Sequence, residues 1–121
     1  MGGQKVIPLE VSSKLLFDQW RLGDEEPEFT IMRISIGGTN NDQPKTIVYD
    51  LLDRYDPQTK TSSMARTTGY TCTAAANLFL DGHFHRKGIC PPEFIGEKKE
   101  FVEYILDYLK ERKVIYNKKE N

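Results

Sequence analysis

Ser63-Met64-Ala65-Arg66-Thr67-Thr68-Gly69-Tyr70-Thr71-Cys72-Thr73-Ala74-Ala75-Ala76 is the stretch that decides how this chain reads. Ser62 or Ser63 can cap a helix, because a side-chain oxygen there accepts from an otherwise unpaired N–H of the first turn. The helix body then runs from about Met64 to Asp81, and Gly82 stands where a left-handed residue can end it. The first two turns hold a cation, two hydroxyls and a glycine, which costs about 1 kcal/mol relative to alanine inside a helix. Ala74-Ala75-Ala76 follows as a small-sided surface that another backbone can approach closely. A helix start carries free N–H groups and partial positive charge. Arg66, Thr67, Thr68, Gly69 and Tyr70 therefore suit an anionic or carboxylate ligand. They equally suit a plain helix start with a glycine for tight packing, and the residues alone leave both readings open.

Working outward, Phe29 to Ile36 and Lys45 to Arg54 each alternate with a period of two, the signal of a strand. The turn-rich run from Gly37 to Pro44 joins them, so the pair predicts an antiparallel hairpin with a loose, exposed tip. Such a hairpin must lie on helices or further strands. Pro8 to Trp20 reads as a short helix with proline in its first turn and Leu9, Leu15, Leu16 and Trp20 near one face. Ile89-Cys90-Pro91-Pro92 is an extended connector. A last helix, from about Glu97 to Arg112, carries the stripe Phe101, Val102, Ile105, Tyr108 and Leu109. Val114-Ile115-Tyr116 reads as a short closing strand, with 117–121 a disordered charged tail. The expected fold is α+β: a single domain over 1–121, with a small, mostly antiparallel sheet covered by helices.

Composition narrows the function classes. The 121 residues carry 17 basic and 18 acidic side chains, a net charge of -1, without the basic excess of a nucleic-acid binder. No apolar run approaches the roughly 20 residues that cross a bilayer. The first residues lack the apolar segment of a secretory signal, and Val6 replaces the Ser or Thr of a myristoylation signal. The expectation is a cytoplasmic protein with reduced thiols.

Several chemistries are weak on inspection. Neither Gly2-Gly3 nor Gly37-Gly38 has the G-x-G-x-x-G spacing that lets a pyrophosphate approach a helix N-terminus, and no Walker loop is present. His83, His85, Cys90 and Cys72 lack the clustered pairs of a zinc site, so no metal is expected. Neither cysteine has an evident activating neighbour. Arg33, Asp50, Asp53 and Arg54 sit on adjacent strands, where cross-strand pairing is the simpler reading than a polar substrate face.

Ser63 to Tyr70, the alanine-rich helix after it, and Gly88-Ile89-Cys90-Pro91-Pro92-Glu93 together resemble saccharopine dehydrogenase-like reductases. Lys14-Leu15-Leu16-Phe17-x-x-Trp20 and Tyr49-Asp50-Leu51-Leu52-Asp53-Arg54-Tyr55 are similar to that family as well. The last helix and strand match only in pattern, and Lys113 stands where a helix-ending glycine belongs. The resemblance implies the C-terminal part of a two-domain enzyme whose N-terminal Rossmann domain binds NAD or NADP. This chain then binds no nucleotide itself and is inactive alone.

The implied reaction interconverts a secondary amine and an imine by hydride transfer on an amino-acid-derived substrate, in lysine metabolism. The alternatives are a carboxynorspermidine dehydrogenase in polyamine synthesis, a lysine dehydrogenase, or a non-catalytic binding or oligomerisation module. By the same resemblance, the helix start from Arg66 to Tyr70 borders the substrate cleft. Arg66 would hold a substrate carboxylate, and Thr67, Thr68 and Gly69 would offer donors; no catalytic residue is assigned. A surface left open toward a missing Rossmann partner further implies a homodimer.

Overall fold

In chain order the elements are α1 (Pro8–Trp20), β1 (Phe29–Asn40), β2 (Gln43–Arg54), α2 (Ser63–Leu80), α3 (Glu93–Gly96), α4 (Lys99–Glu111) and β3 (Tyr116–Glu120). The computed structural model describes residues 6–23 and 25–121, so the Gly2-Gly3 pair lies outside the described residues. The strands form one antiparallel sheet in the order β1-β2-β3, with helices α2 and α4 packed together beside it. The fold is α+β, as the patterning predicts.

The hairpin is tighter than expected. Only Asn41 and Asp42 turn, with φ of 51° and 59°, and Gly37 to Asn40 and Gln43-Pro44 belong to the strands. Two successive residues at positive φ make a type I′ turn, whose twist matches the strands it joins, and Asn and Asp tolerate that region best among non-glycine residues. The register runs unbroken from Phe29 opposite Arg54 to Asn40 opposite Gln43.

The expected disordered tail at 117–121 is instead strand β3. Residues 116–120 pair with β2 from Leu51 opposite Tyr116 to Ile47 opposite Glu120, and Asn121 exchanges two backbone hydrogen bonds of 3.0 Å with Thr46. Its charges are the reason. Glu120 pairs with Lys45 at 3.0 Å and with Lys118, and Lys119 reaches Asp50 at 3.5 Å. What reads as a solvated tail is a ladder of opposite charges across strands.

The centre of the core is Leu51, Leu109 and Val114, with Tyr70, Ile105 and Tyr116 packed around them. Ala74 and Leu78 are fully buried, as the small-sided second half of α2 leads one to expect. Helix α4 ends in a Schellman motif: Val114 N–H donates to Leu109 O at 3.0 Å and Lys113 N–H to Lys110 O at 2.9 Å. Lys113 takes the left-handed conformation at φ 63° that glycine would occupy, and Val114 closes over Leu109 in the core.

Two further elements depart from the sequence reading. Prolines suit a first helical turn, so Pro91-Pro92 leads into the short helix α3 rather than remaining a connector throughout. Helix α1 forms where expected, yet it buries none of its residues, and Leu9 and Trp20 are 75% and 69% exposed. None of the described helices is long and apolar enough to cross a membrane.

Candidate functional site

Helix periodicity divides the five candidate residues between faces. Positions 63, 66, 74 and 78 are the buried ones on α2, and Tyr70 shares their stripe. Thr67 and Thr68 fall on the neighbouring stripe with Thr71, Cys72 and Ala75, and these five line a cleft. Gly69 is exposed, and a Cβ there would meet nothing within 4 Å, so close packing does not explain it.

Arg66 turns inward. Its Nε donates to Asp53 Oδ2 at 3.0 Å and its Nη2 to Asp53 Oδ1 at 3.3 Å, with both side chains buried. Its Nη2 also donates to the Arg112 carbonyl at 3.0 Å, and its Nη1 to Asp56 Oδ2 at 3.2 Å. The planar fork thus joins β2, the following loop and the end of α4 through α2. The hydrogen bonds it donates to Asp53, opposed by burial, hold the guanidinium above its ordinary value, so it stays charged. The Asp56 carboxyl is held below its usual range, chiefly by the Gln58 backbone N–H and less by Arg66. Tyr70 lies under the guanidinium, its ring centre 5.8 Å away, and packs into the core. Neither Arg66 nor Tyr70 lines the cleft.

The helix start is occupied as well. Ser62 Oγ accepts from Ala65 N–H at 3.1 Å, the cap expected of it. The Glu28 carboxylate accepts from the Ser63 N–H and hydroxyl, and Ser63 Oγ lies 2.7 Å from Thr30 Oγ1. The anion that the dipole and free N–H groups call for is therefore one of the chain's own side chains. Glu28, Asp53 and Asp56 are the residues the sequence reading missed as partners of this segment. Only Asp53 was singled out there, as a partner for neighbouring strands.

The cleft is a space of about 680 Å3 between α2, α3 and α4, with Met32 of β1 and Tyr116 of β3 beneath. Its walls are mostly apolar. Thr67 and Thr71 spend their hydroxyl protons on the backbone, donating to Ser63 O at 2.9 Å and Thr67 O at 2.6 Å. Cys90 and Pro92 of the connector line the same space. The spacing from Thr67-Thr68 to Thr71-Cys72 and Ala75 was the available signal for this wall, since residues three and four apart share a helix face.

A Rossmann phosphate site lies between a strand and the glycine-rich start of the helix that follows it. One strand leads into a long helix, β2 into α2, but that passage from Tyr55 to Ser62 contains no glycine and the helix N-terminus beyond it holds Glu28. Among the described residues no group of three or more His, Cys, Asp or Glu is placed to hold a metal ion. Cys72 is exposed and Cys90 half-buried, both as free thiols. Of the four hairpin charges, Arg33 and Asp50 pair across strands, at 2.6 and 3.2 Å, whereas Asp53 pairs with Arg66 of α2 and Arg54 lies over the Phe29 ring at 5.8 Å.

No solved structure matches the chain. The family described as the Saccharopine dehydrogenase C-terminal domain matches residues 1–115, a span that holds the capped helix start, the cleft wall on α2 and the Cys90–Pro92 connector. With all but residues 116–121 inside that match, and with the α+β fold in place, the chain belongs to the saccharopine dehydrogenase C-terminal domain family.

Proposed function

We propose that this chain serves as the substrate-side domain of an NAD(P)-dependent oxidoreductase acting on the C–N bond of an amino-acid-derived secondary amine or imine, in lysine metabolism. The observation that carries this reading is convergence. The helix start and the proline connector, the two segments most like the family, meet across one cleft, at Thr67 and Thr68 on one side and Cys90 and Pro92 on the other. An apolar cleft with few polar groups suits the methylene chain of such a substrate.

Within this reading each residue has a distinct part. Thr68 is the exposed hydroxyl on the cleft wall, and Thr67 offers an oxygen that can accept. Arg66 acts as a positioning residue: its hold on Asp53 and the Arg112 carbonyl sets the angle at which α2 presents that wall. NAD or NADP, the hydride carrier, belongs to a Rossmann partner domain, because the residues described here do not fit it.

The test uses the enzyme that contains this chain together with its nucleotide-binding domain, followed by NAD(P)H consumption in the reductive direction. Filling the cleft by Thr68→Trp should lower kcat/KM by about a hundredfold while leaving the melting temperature within a few degrees. Unchanged kinetics in a folded Thr68→Trp enzyme would remove the cleft from the reaction.

A further inference from the structure

The cleft is chemically one-sided. Among the described residues that line it none carries a charge, and Arg66, the cation expected there, is turned inward onto Asp53. A carboxylate drawn between these walls would give up its water and meet no cation, and one neutral donor does not repay that cost. The polar atoms are few and mostly committed. The Thr67 and Thr71 hydroxyls donate to their own helix, and the Cys90 thiol points to the Gly88 and Arg86 carbonyls at 3.6 and 3.7 Å.

Tyr116 is differently placed. Its ring packs on the Leu51, Leu109 and Val114 core and its backbone pairs opposite Leu51, so the side chain is fixed from below. Its hydroxyl reaches toward Met32, its neighbour on the cleft floor, with Sδ at 4.0 Å. A thioether is a weak acceptor, so the O–H keeps most of its capacity to donate. Burial pushes the phenol above its ordinary value, which keeps it protonated. Thr68 offers its hydroxyl from the exposed wall, whereas Tyr116 is half-buried, where a hydrogen bond counts for more.

We propose that Tyr116 is the specificity residue of the cleft: its hydroxyl donates to one uncharged acceptor, a carbonyl or amide oxygen, on an otherwise apolar arm of the ligand. The ionised groups of that ligand stay outside the cleft. The inference rests on the function proposed above and deepens it, because it names the kind of arm that the amine or imine substrate places here. A space of about 680 Å3 accommodates such an arm. A site built around one sheltered hydrogen bond rejects analogues that cannot make it.

Backbone-amide NMR titration of the 121-residue chain at pH 7 with hexanamide and with hexanoate, alike in size and unlike in charge, provides the test. Hexanamide should shift the Thr68, Cys72 and Tyr116 amides and bind about tenfold more tightly than hexanoate. Tyr116→Phe should weaken hexanamide by about tenfold. Hexanoate, which keeps its carboxylate in water at the cleft mouth, should hardly respond, so the preference disappears. A purely structural hydroxyl would weaken both probes alike, and that result would overturn the proposal. So would equal binding of the two probes by the wild type, binding of neither, or shifts that bypass the cleft. Should Tyr116→Phe fail to fold, the wild-type preference and shift map decide alone. Turnover has no part in this readout, and the enzymatic reading fails separately, through unchanged Thr68→Trp kinetics.

Discussion

Arg66 and Asp53 form a two-pronged ion pair beneath the surface, 3.0 and 3.3 Å across its two contacts, and it ties helix α2 to strand β2. The same guanidinium reaches Asp56 and the Arg112 carbonyl at the end of α4, so one side chain joins three elements. Removing one partner of a buried pair leaves the other charged and unpaired, which costs far more than removing both. Arg66→Ala should therefore destabilise the chain by about 3–5 kcal/mol in urea denaturation. Arg66→Lys should recover only part of that, since an ammonium cannot match the fork. The Arg66→Met, Asp53→Leu double variant should be more stable than Arg66→Ala. A loss below about 1 kcal/mol for Arg66→Ala, the size of an exposed pair, would refute the clamp.

Glu28 stands where an external anion would otherwise bind. Glu28→Ala should cost about 1–2 kcal/mol of stability, the range of a lost helix cap or charge-assisted hydrogen bond. It should also leave α2 responsive to added sulfate, whose effect on the melting temperature of Glu28→Ala should exceed its effect on the wild type. Equal responses of the two proteins would contradict the assignment of Glu28 as the helix-start anion.

Lys113 supplies the opposite kind of case, a residue in the conformation of another. At φ 63° it completes the α4 Schellman motif against the preference of an L side chain. Lys113→Gly should stabilise the chain by about 1 kcal/mol, read from the denaturation midpoint at an unchanged slope. Destabilisation by that substitution would show that the lysine side chain matters more than the backbone.

The C-terminal strand should be sensitive to acid. Lys118 first and Lys45 second lower the Glu120 carboxyl from 4.5 to about 2. A carboxylate depressed on folding contributes stability that is complete above its unfolded value and lost as pH falls through its folded value. The Thr46–Asn121 backbone bonds should therefore weaken as pH falls from 4.5 toward about 2, seen as faster amide exchange after correction for intrinsic rates. Glu120→Gln should flatten that dependence. An unaltered profile in Glu120→Gln would show that other groups hold the strand.

Much of the fold follows from local pattern. The Phe29 and Lys45 strands, the Ser62 cap, and the stripe from Phe101 to Leu109 each follow from a period or a turn residue, and each lies close to where that pattern puts it. Two of the departures share a physical cause: they depend on which distant residue answers a charge. Lys118, Lys119 and Glu120 read as tail until Lys45 and Asp50 are set opposite them. Arg66 reads as a ligand-binding cation until Asp53 and Asp56 are brought beneath it. Part of the site was nonetheless legible. The four-residue steps through Arg66, Tyr70, Ala74 and Leu78 mark the core face of α2, and those through Thr67, Thr71 and Ala75 the cleft face. A contiguous motif conceals that division because it runs around the helix.

The division of labour between this chain and a nucleotide-binding partner is the central claim, and fluorescence titration of the 121-residue chain with NADH and NADPH tests it most directly. The account predicts no saturable binding of either nucleotide by the chain alone, and binding with turnover once it is joined to its Rossmann-type partner domain. Saturable NAD(P)H binding by the chain alone would contradict it.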